Sequence, residues 1–179
     1  MPTYVALLRS VNVAGYGRMA MADLQQSFRT LGYQDVSTFI QTGNVLFTTV
    51  KKSPAKLVAD IEGQLAHDFG SSPAVILRTP AELQSVLGTS PFPGKGADPS
   101  RHHVTFMATA PDPDRLAEFT PPSSGQDELV IVRREIYVHT PNGYAETKLT
   151  GSLLERRLGV VTTTRNWNTV SKLCALLDG

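Results

Sequence analysis

The chain is poor in the residues that announce chemistry most plainly. It holds one cysteine, Cys174, among 179 residues, so neither an internal disulfide nor a cysteine-built zinc site can form. That count suits a reducing compartment, and a cytoplasmic location is expected. Charge of one sign is missing too. Lys and Arg number 17 against 16 Asp and Glu, a formal net charge of +1, which gives no bulk attraction toward nucleic acid or an acidic partner. No apolar run approaches the roughly 20 residues that cross a bilayer. The opening Met1-Pro2-Thr3-Tyr4 reads as the start of a strand, without the basic and long apolar stretches of a signal peptide. No membrane partner is expected. The 4 histidines show no metal-ligand spacing: His102 and His103 are neighbours on an expected strand and point to opposite faces, while His67 and His139 stand alone. A Walker phosphate loop, a dinucleotide fingerprint and a G-x-S-x-G nucleophile are all absent. Hence no metal and no cofactor is expected, and no catalytic residue can be named.

What the chain does have is the composition of a soluble globular protein, 41% hydrophobic and 18% charged, long enough for one ordinary domain or two small ones. Residues 3–9 form an apolar run of strand length. Met21, Leu24, Phe28 and Leu31 step by three and four, one face of a helix, and Gly32 stands where it would stop. Residues 35–40 and 44–49 read as two strands joined by Gln41-Thr42-Gly43-Asn44, in which Gly and Asn suit a tight turn with positive φ. Ser53-Pro54 opens a helix through Leu57, Ile61, Leu65 and Phe69, Gly70 closes it, and residues 73–78 are a strand.

Thr79-Pro80-Ala81-Glu82 is a capping-box pattern before a short helix, and residues 88–101 are rich in Gly, Pro and Ser. The rhythm then repeats: a strand at 102–109, a helix capped by Asp112-Pro113, a hairpin from 128–133 and 135–140, a helix at 149–158 with Ser152 and Glu155 at capping-box spacing, a strand at 160–164, and a last helix from Asn166. The order predicts an α+β fold, a tandem duplication of a ferredoxin-like βαββαβ unit, with antiparallel sheets, helices packed on one face and an extra C-terminal helix. The expected parts are residues 1–79, a bridging helix and linker at 80–100, and residues 101–179 with the C-terminal helix.

Three motifs carry a resemblance. Val5-Ala6-Leu7-Leu8-Arg9-Ser10-Val11-Asn12-Val13, Ile40-Gln41-Thr42-Gly43-Asn44-Val45 and Arg165-Asn166-Trp167-Asn168-Thr169-Val170 stand in this order, with Asn142-Gly143-Tyr144 and Lys148-Leu149 before the penultimate helix. Together they resemble, nearly end to end, the bacterial family catalogued as domain of unknown function 1697. Ser10 and Ala14 stand where that family usually has Gly. The resemblance implies two similar α+β subdomains. It implies no activity, since the family has none established.

The polar motif residues are the candidate ligand-binding set: Arg9, Asn12, Gln41, Asn44, Lys148, Arg165, Asn166, Trp167 and Asn168. A helix starting at Asn166 would offer free N–H groups beside the charge of Arg165, a setting for phosphate or carboxylate, with Trp167 as a stacking surface. The plain alternative is that Asn166 caps, Trp167 packs and Arg165 pairs. Arg9 and Asn12 lie in a strand-to-helix loop that can present amides to an anion or merely brace the chain. Gln41 and Asn44 face a ligand or only turn it. Lys148 extends a basic pocket or is simply solvated.

The favoured expectation is a module that binds a small anionic or nucleotide-like ligand at the seam between two subdomains. Nucleic-acid binding is the second, less favoured because charge is balanced and the RNA-recognition consensus is absent. An enzyme of unrecognised class, acting on a phosphorylated or amide substrate, is the third; it lacks an evident base or nucleophile. The sequence selects no oligomeric state.

Overall fold

The structure is a computed structural model, which describes residues 1–11, 18–51, 53–92 and 98–178. The chain divides into two compact units, Met1–Glu82 and Leu83–Gly179. The first contains β1 (Thr3–Leu8), α1 (Met21–Thr30), β2 (Gln34–Phe39), β3 (Asn44–Thr48), α2 (Pro54–Phe69) and β4 (Val75–Arg78). The division falls inside α3 (Pro80–Gly88). The second unit continues with β5 (His102–Met107), α4 (Pro113–Glu118), β6 (Glu128–Val132), β7 (Glu135–His139), α5 (Gly151–Leu158), β8 (Thr162–Asn166) and α6 (Trp167–Asp178).

Each unit builds a four-stranded antiparallel sheet in the same order, β2-β3-β1-β4 and β6-β7-β5-β8. In the first, Tyr4, Ala6 and Leu8 alternate onto one face with Val45, Phe47, Val75 and Leu77, and they pack against Leu24 and Phe28 of α1 and Leu57, Ile61 and Leu65 of α2. The intervening Val5, Leu7, Leu46 and Ile76 are buried as well. That is why β1 reads as a continuous apolar run and not as an alternation. The Phe47 ring stacks on Tyr33 at 4.7 Å and meets Phe28 edge-on at 5.3 Å. Ser53 caps α2 by accepting from Lys56 N at 3.4 Å, and Gly70 ends it in the left-handed region. In the second unit, Met107, Ile136 and Val138 pack against Leu154 and Leu158 of α5 and against Leu149.

Around the central strands β1 and β5 the registers of the two sheets superimpose residue on residue. Val5 stands opposite Leu46 and Arg78, and Val104 stands opposite Tyr137 and Arg165. Arg78 and Arg165 are therefore counterparts. Both are buried, and each donates Nη1 to the carbonyl of the residue before it, Leu77 at 2.9 Å and Thr164 at 3.0 Å. Each also precedes a helix cap. Thr79 and Glu82 exchange bonds of 3.2 and 2.8 Å as a capping box, while Asn166 Oδ1 accepts from Thr169 N at 2.8 Å. Arg-Thr-Pro and Arg-Asn-Trp are thus one device written twice.

Some local expectations are corrected. The cap of α5 is Thr150, which accepts from Leu153 N at 3.2 Å; its extended backbone lies outside the helix, whereas Ser152 lies inside it. Glu155 closes no capping box, but its Oε1 accepts from Thr162 N at 2.8 Å and so starts β8 at 162 and not at 160. The first hairpin strand stops at Phe39, because Ile40 turns left-handed at φ 51. His139 does not stand alone: it is the cross-strand partner of His102, with ring centroids 4.7 Å apart. Among the described residues no helix is long and apolar enough to cross a membrane.

Candidate functional site

In the first unit, the end of β1 and the β2–β3 turn form one surface tip. Leu8 N donates to Gly43 O at 2.8 Å, and Arg9 N donates to Ala74 O at 3.0 Å. The strand end is thereby fixed on both sides. Gly43 sits at φ 86, and a Cβ there would lie 2.9 Å from Leu8 Cβ and 3.1 Å from Val11 Cβ. Only glycine meets both demands. Asn44 is fully buried and donates Nδ2 to Phe39 O at 3.1 Å and to Thr42 Oγ1 at 3.3 Å. It is not a turn residue accepting positive φ, as the sequence suggested, but the first residue of β3 and the brace of the turn. The left-handed positions are Gly43, Ile40 at φ 51 and, in the adjoining loop, Ser10 at φ 57.

Ile40 is unusual. A β-branched side chain in the left-handed region costs about 1–3 kcal/mol, yet Ile40 recovers little by burial, being 46% exposed. Gln41, next in the chain, is exposed, as is Ser10 in the loop after β1, and Arg9 is half-buried. The tip therefore presents a guanidinium, an amide, a hydroxyl and an apolar side chain on a backbone held in strain. Asn12 lies outside the described residues.

The second unit employs its candidates differently. Arg165 is only 8% exposed and donates Nη1 to Thr163 Oγ1 at 2.8 Å as well as to Thr164 O. Burial pushes its guanidinium down to about 10, so it stays charged at neutral pH. Asn166 is committed to its cap, Trp167 is half-buried and Asn168 is exposed. Lys148 is exposed, and its backbone N donates to Ser124 Oγ at 2.9 Å. It borders an open cavity of about 300 Å³ with Ser123, Asp127, Asn142 and Glu146. Two carboxylates against one ammonium make that cavity a poor anion trap.

Of the candidates, then, Arg9, Gln41 and Asn44 share the first unit's tip, while Lys148 and Arg165 through Asn168 belong to the second unit. Ile40 was missed as a functional candidate. Its signal was a β-branched residue directly before a Gly-containing turn, where a strand reading absorbed it. Among the described residues no three His, Cys, Asp or Glu side chains gather as a metal-ligand set. Burial, and secondarily the charge of His102, pushes His103 down to about 4, and its ring stacks on Tyr144 at 4.2 Å. Burial, then the charge of Asp178, pushes the Cys174 thiol up to about 11, an inert core position.

The family model described as "Protein of unknown function (DUF1697)" matches residues 1–137. The chain belongs to this family. The DUF1697 span takes in the Val5–Val13 and Ile40–Val45 motifs and the whole first unit. The Asn142-Gly143-Tyr144, Lys148-Leu149 and Arg165–Val170 motifs lie beyond it, so the match is shorter than the near end-to-end resemblance suggested. A solved structure titled as a conserved bacterial protein from Streptococcus pneumoniae is similar over 100% of this chain and 99% of its own, with a TM-score of 0.79 and 24% identity. That likeness concerns the fold alone. Among curated proteins none matches.

Proposed function

We propose that the chain binds a small anionic ligand, a phosphate such as a nucleotide carries or a carboxylate, at the first unit's tip. Arg9 supplies the charge, and its planar fork suits either anion. The Gln41 amide and the Ser10 hydroxyl supply neutral hydrogen bonds, and Ile40 offers an apolar contact to the rest of the ligand. The observation that carries the reading is Ile40 itself, exposed and left-handed at φ 51. Asn or Gly would relieve the backbone there. Strain kept at an exposed site, on a turn braced by Asn44 and bonded through Gly43 to the strand end that leads into Arg9, is the mark of a surface shaped for recognition.

Calorimetric titration with adenosine monophosphate, inorganic phosphate and acetate tests the reading. At least one of these is expected to bind, and Arg9→Gln should weaken it about tenfold, as loss of one charge-assisted pair does. Ile40→Asn should raise stability by about 1 kcal/mol while weakening binding. Absence of binding by all three anions, or Arg9→Gln binding as well as the parent, would refute it.

A further inference from the structure

The outer edge of the second sheet carries an interaction surface. β6 stands at the end of the order β6-β7-β5-β8, so among the described residues no strand pairs with its outer side. Its sequence, Glu128-Leu129-Val130-Ile131-Val132, has four consecutive apolar residues, all half-buried, and its register with β7 is unbroken from Glu128 to Val132. An even, apolar edge of this kind is a template for another strand. The counterpart edge of the first sheet is blunted. There β2 has a register break between Gln34 and Ser37, Asp35 is left-handed at φ 50, and Arg29 Nη2 reaches across to Val36 O at 3.4 Å. One edge carries the devices that prevent pairing and the other does not.

The charges flanking β6 select the occupant. Asp127 and Glu128 stand at its start, and Arg133 and Arg134 follow its end. Antiparallel pairing of β6 with the same strand of a second molecule, centred on Val130, sets Val130 against Val130, Leu129 against Ile131 and Glu128 against Val132. It also sets Asp127 against Arg133 at both ends. An acidic start and a basic finish are complementary only when the second strand runs antiparallel. Arg133 supports this assignment independently. It is exposed, has no partner among the described residues, and takes φ 55 at a turn position where glycine is customary. We infer that β6 pairs with β6 of a second copy of this chain, joining two four-stranded sheets into one of eight across a two-fold axis. A contact of one five-residue strand per partner is small, so the dimer is weak and concentration-dependent.

Sedimentation velocity of the full chain across a wide concentration range, at low and high salt, reads the association. Dimer should grow with concentration and recede with salt. Arg133→Asp should weaken it about tenfold, and the swap Asp127→Arg with Arg133→Asp should restore it. Since native Cys174 is buried, a Val130→Cys variant gives a second measurement: it should cross-link to itself under mild oxidation about tenfold faster than Val50→Cys, placed at an exposed site elsewhere. A monomer at every concentration, or equal cross-linking of the two cysteine variants, would overturn the proposal.

Discussion

The two units share strand order and the register around their central strands but differ at their hairpin tips. In the first, four residues, Ile40 to Gly43, join β2 to β3, with left-handed backbone at both ends and Asn44 as a brace. In the second, only Arg133 and Arg134 lie between Val132 and Glu135. The sheets also diverge at the edges beside those tips, one broken by a register shift and the other even. Arginine, cap and helix start are retained in both copies, as Arg78-Thr79 and Arg165-Asn166. The difference teaches that the repeated parts hold the fold, and that the unrepeated tips are where binding is to be sought. Two candidates that looked most functional in the sequence, Arg165 and Asn166, fall in the repeated part.

The comparison can be broken first in the cores. Phe47 and Val138 are counterparts, facing Tyr4 and His103. Phe47→Ala should cost about 3–5 kcal/mol, because it empties an aromatic cluster, and Val138→Ala about 2 kcal/mol, as the smaller side chain loses less buried area. Denaturant midpoints of the two variants check the ratio. Next come the glycines. Gly43→Ala meets Leu8 and Val11 and should cost about 2–4 kcal/mol. Gly32→Ala, also left-handed at φ 84 but with open space around it, should cost only about 1 kcal/mol. The caps should fail alike, Thr79→Ala and Asn166→Ala each by about 1 kcal/mol in thermal unfolding. The smallest effect is acidic. Hydrogen bonds from Ser27 at 2.6 Å, then from Gln64 and His67, hold the Asp68 carboxyl down at about 2. Its stabilising contribution is full above pH about 4, the ordinary carboxylate value, and is lost as pH falls toward 2. Ser27→Ala should flatten that acid limb in melting curves taken across the range.

Much of this was legible because the fold rests on short-range rules. Leu24 and Phe28, the Ser53-Pro54 start and the Gly70 stop each announce themselves by spacing or backbone demand, and together they mark the helices of the first βαββαβ. The cap at Asn166 was likewise readable, whereas β8 runs two residues past the expected strand end at 164. What escaped depended on backbone conformation and packing that residue spacing does not show. Ser152 and Thr150 are both capping types, and only the backbone of Thr150 decides between them. Asn44 looked like a turn residue because its burial against Phe39 O and Thr42 follows from tertiary packing. The strain at Ile40 has no signature in hydrophobic pattern, since Ile suits the strand that stops one residue earlier. The Arg78 and Arg165 equivalence needed the register of two strand pairs, which periodicity alone does not supply.

The first unit's tip, and not its counterpart, is the proposed binding surface. Nitrogen-15 chemical-shift mapping of the full chain during titration with adenosine monophosphate addresses it directly. Shifts are predicted to concentrate at residues 9–11 and 40–43 and to vanish in Arg9→Gln. Shifts centred on Arg133 and Arg134, or a pattern unchanged by Arg9→Gln, would contradict it.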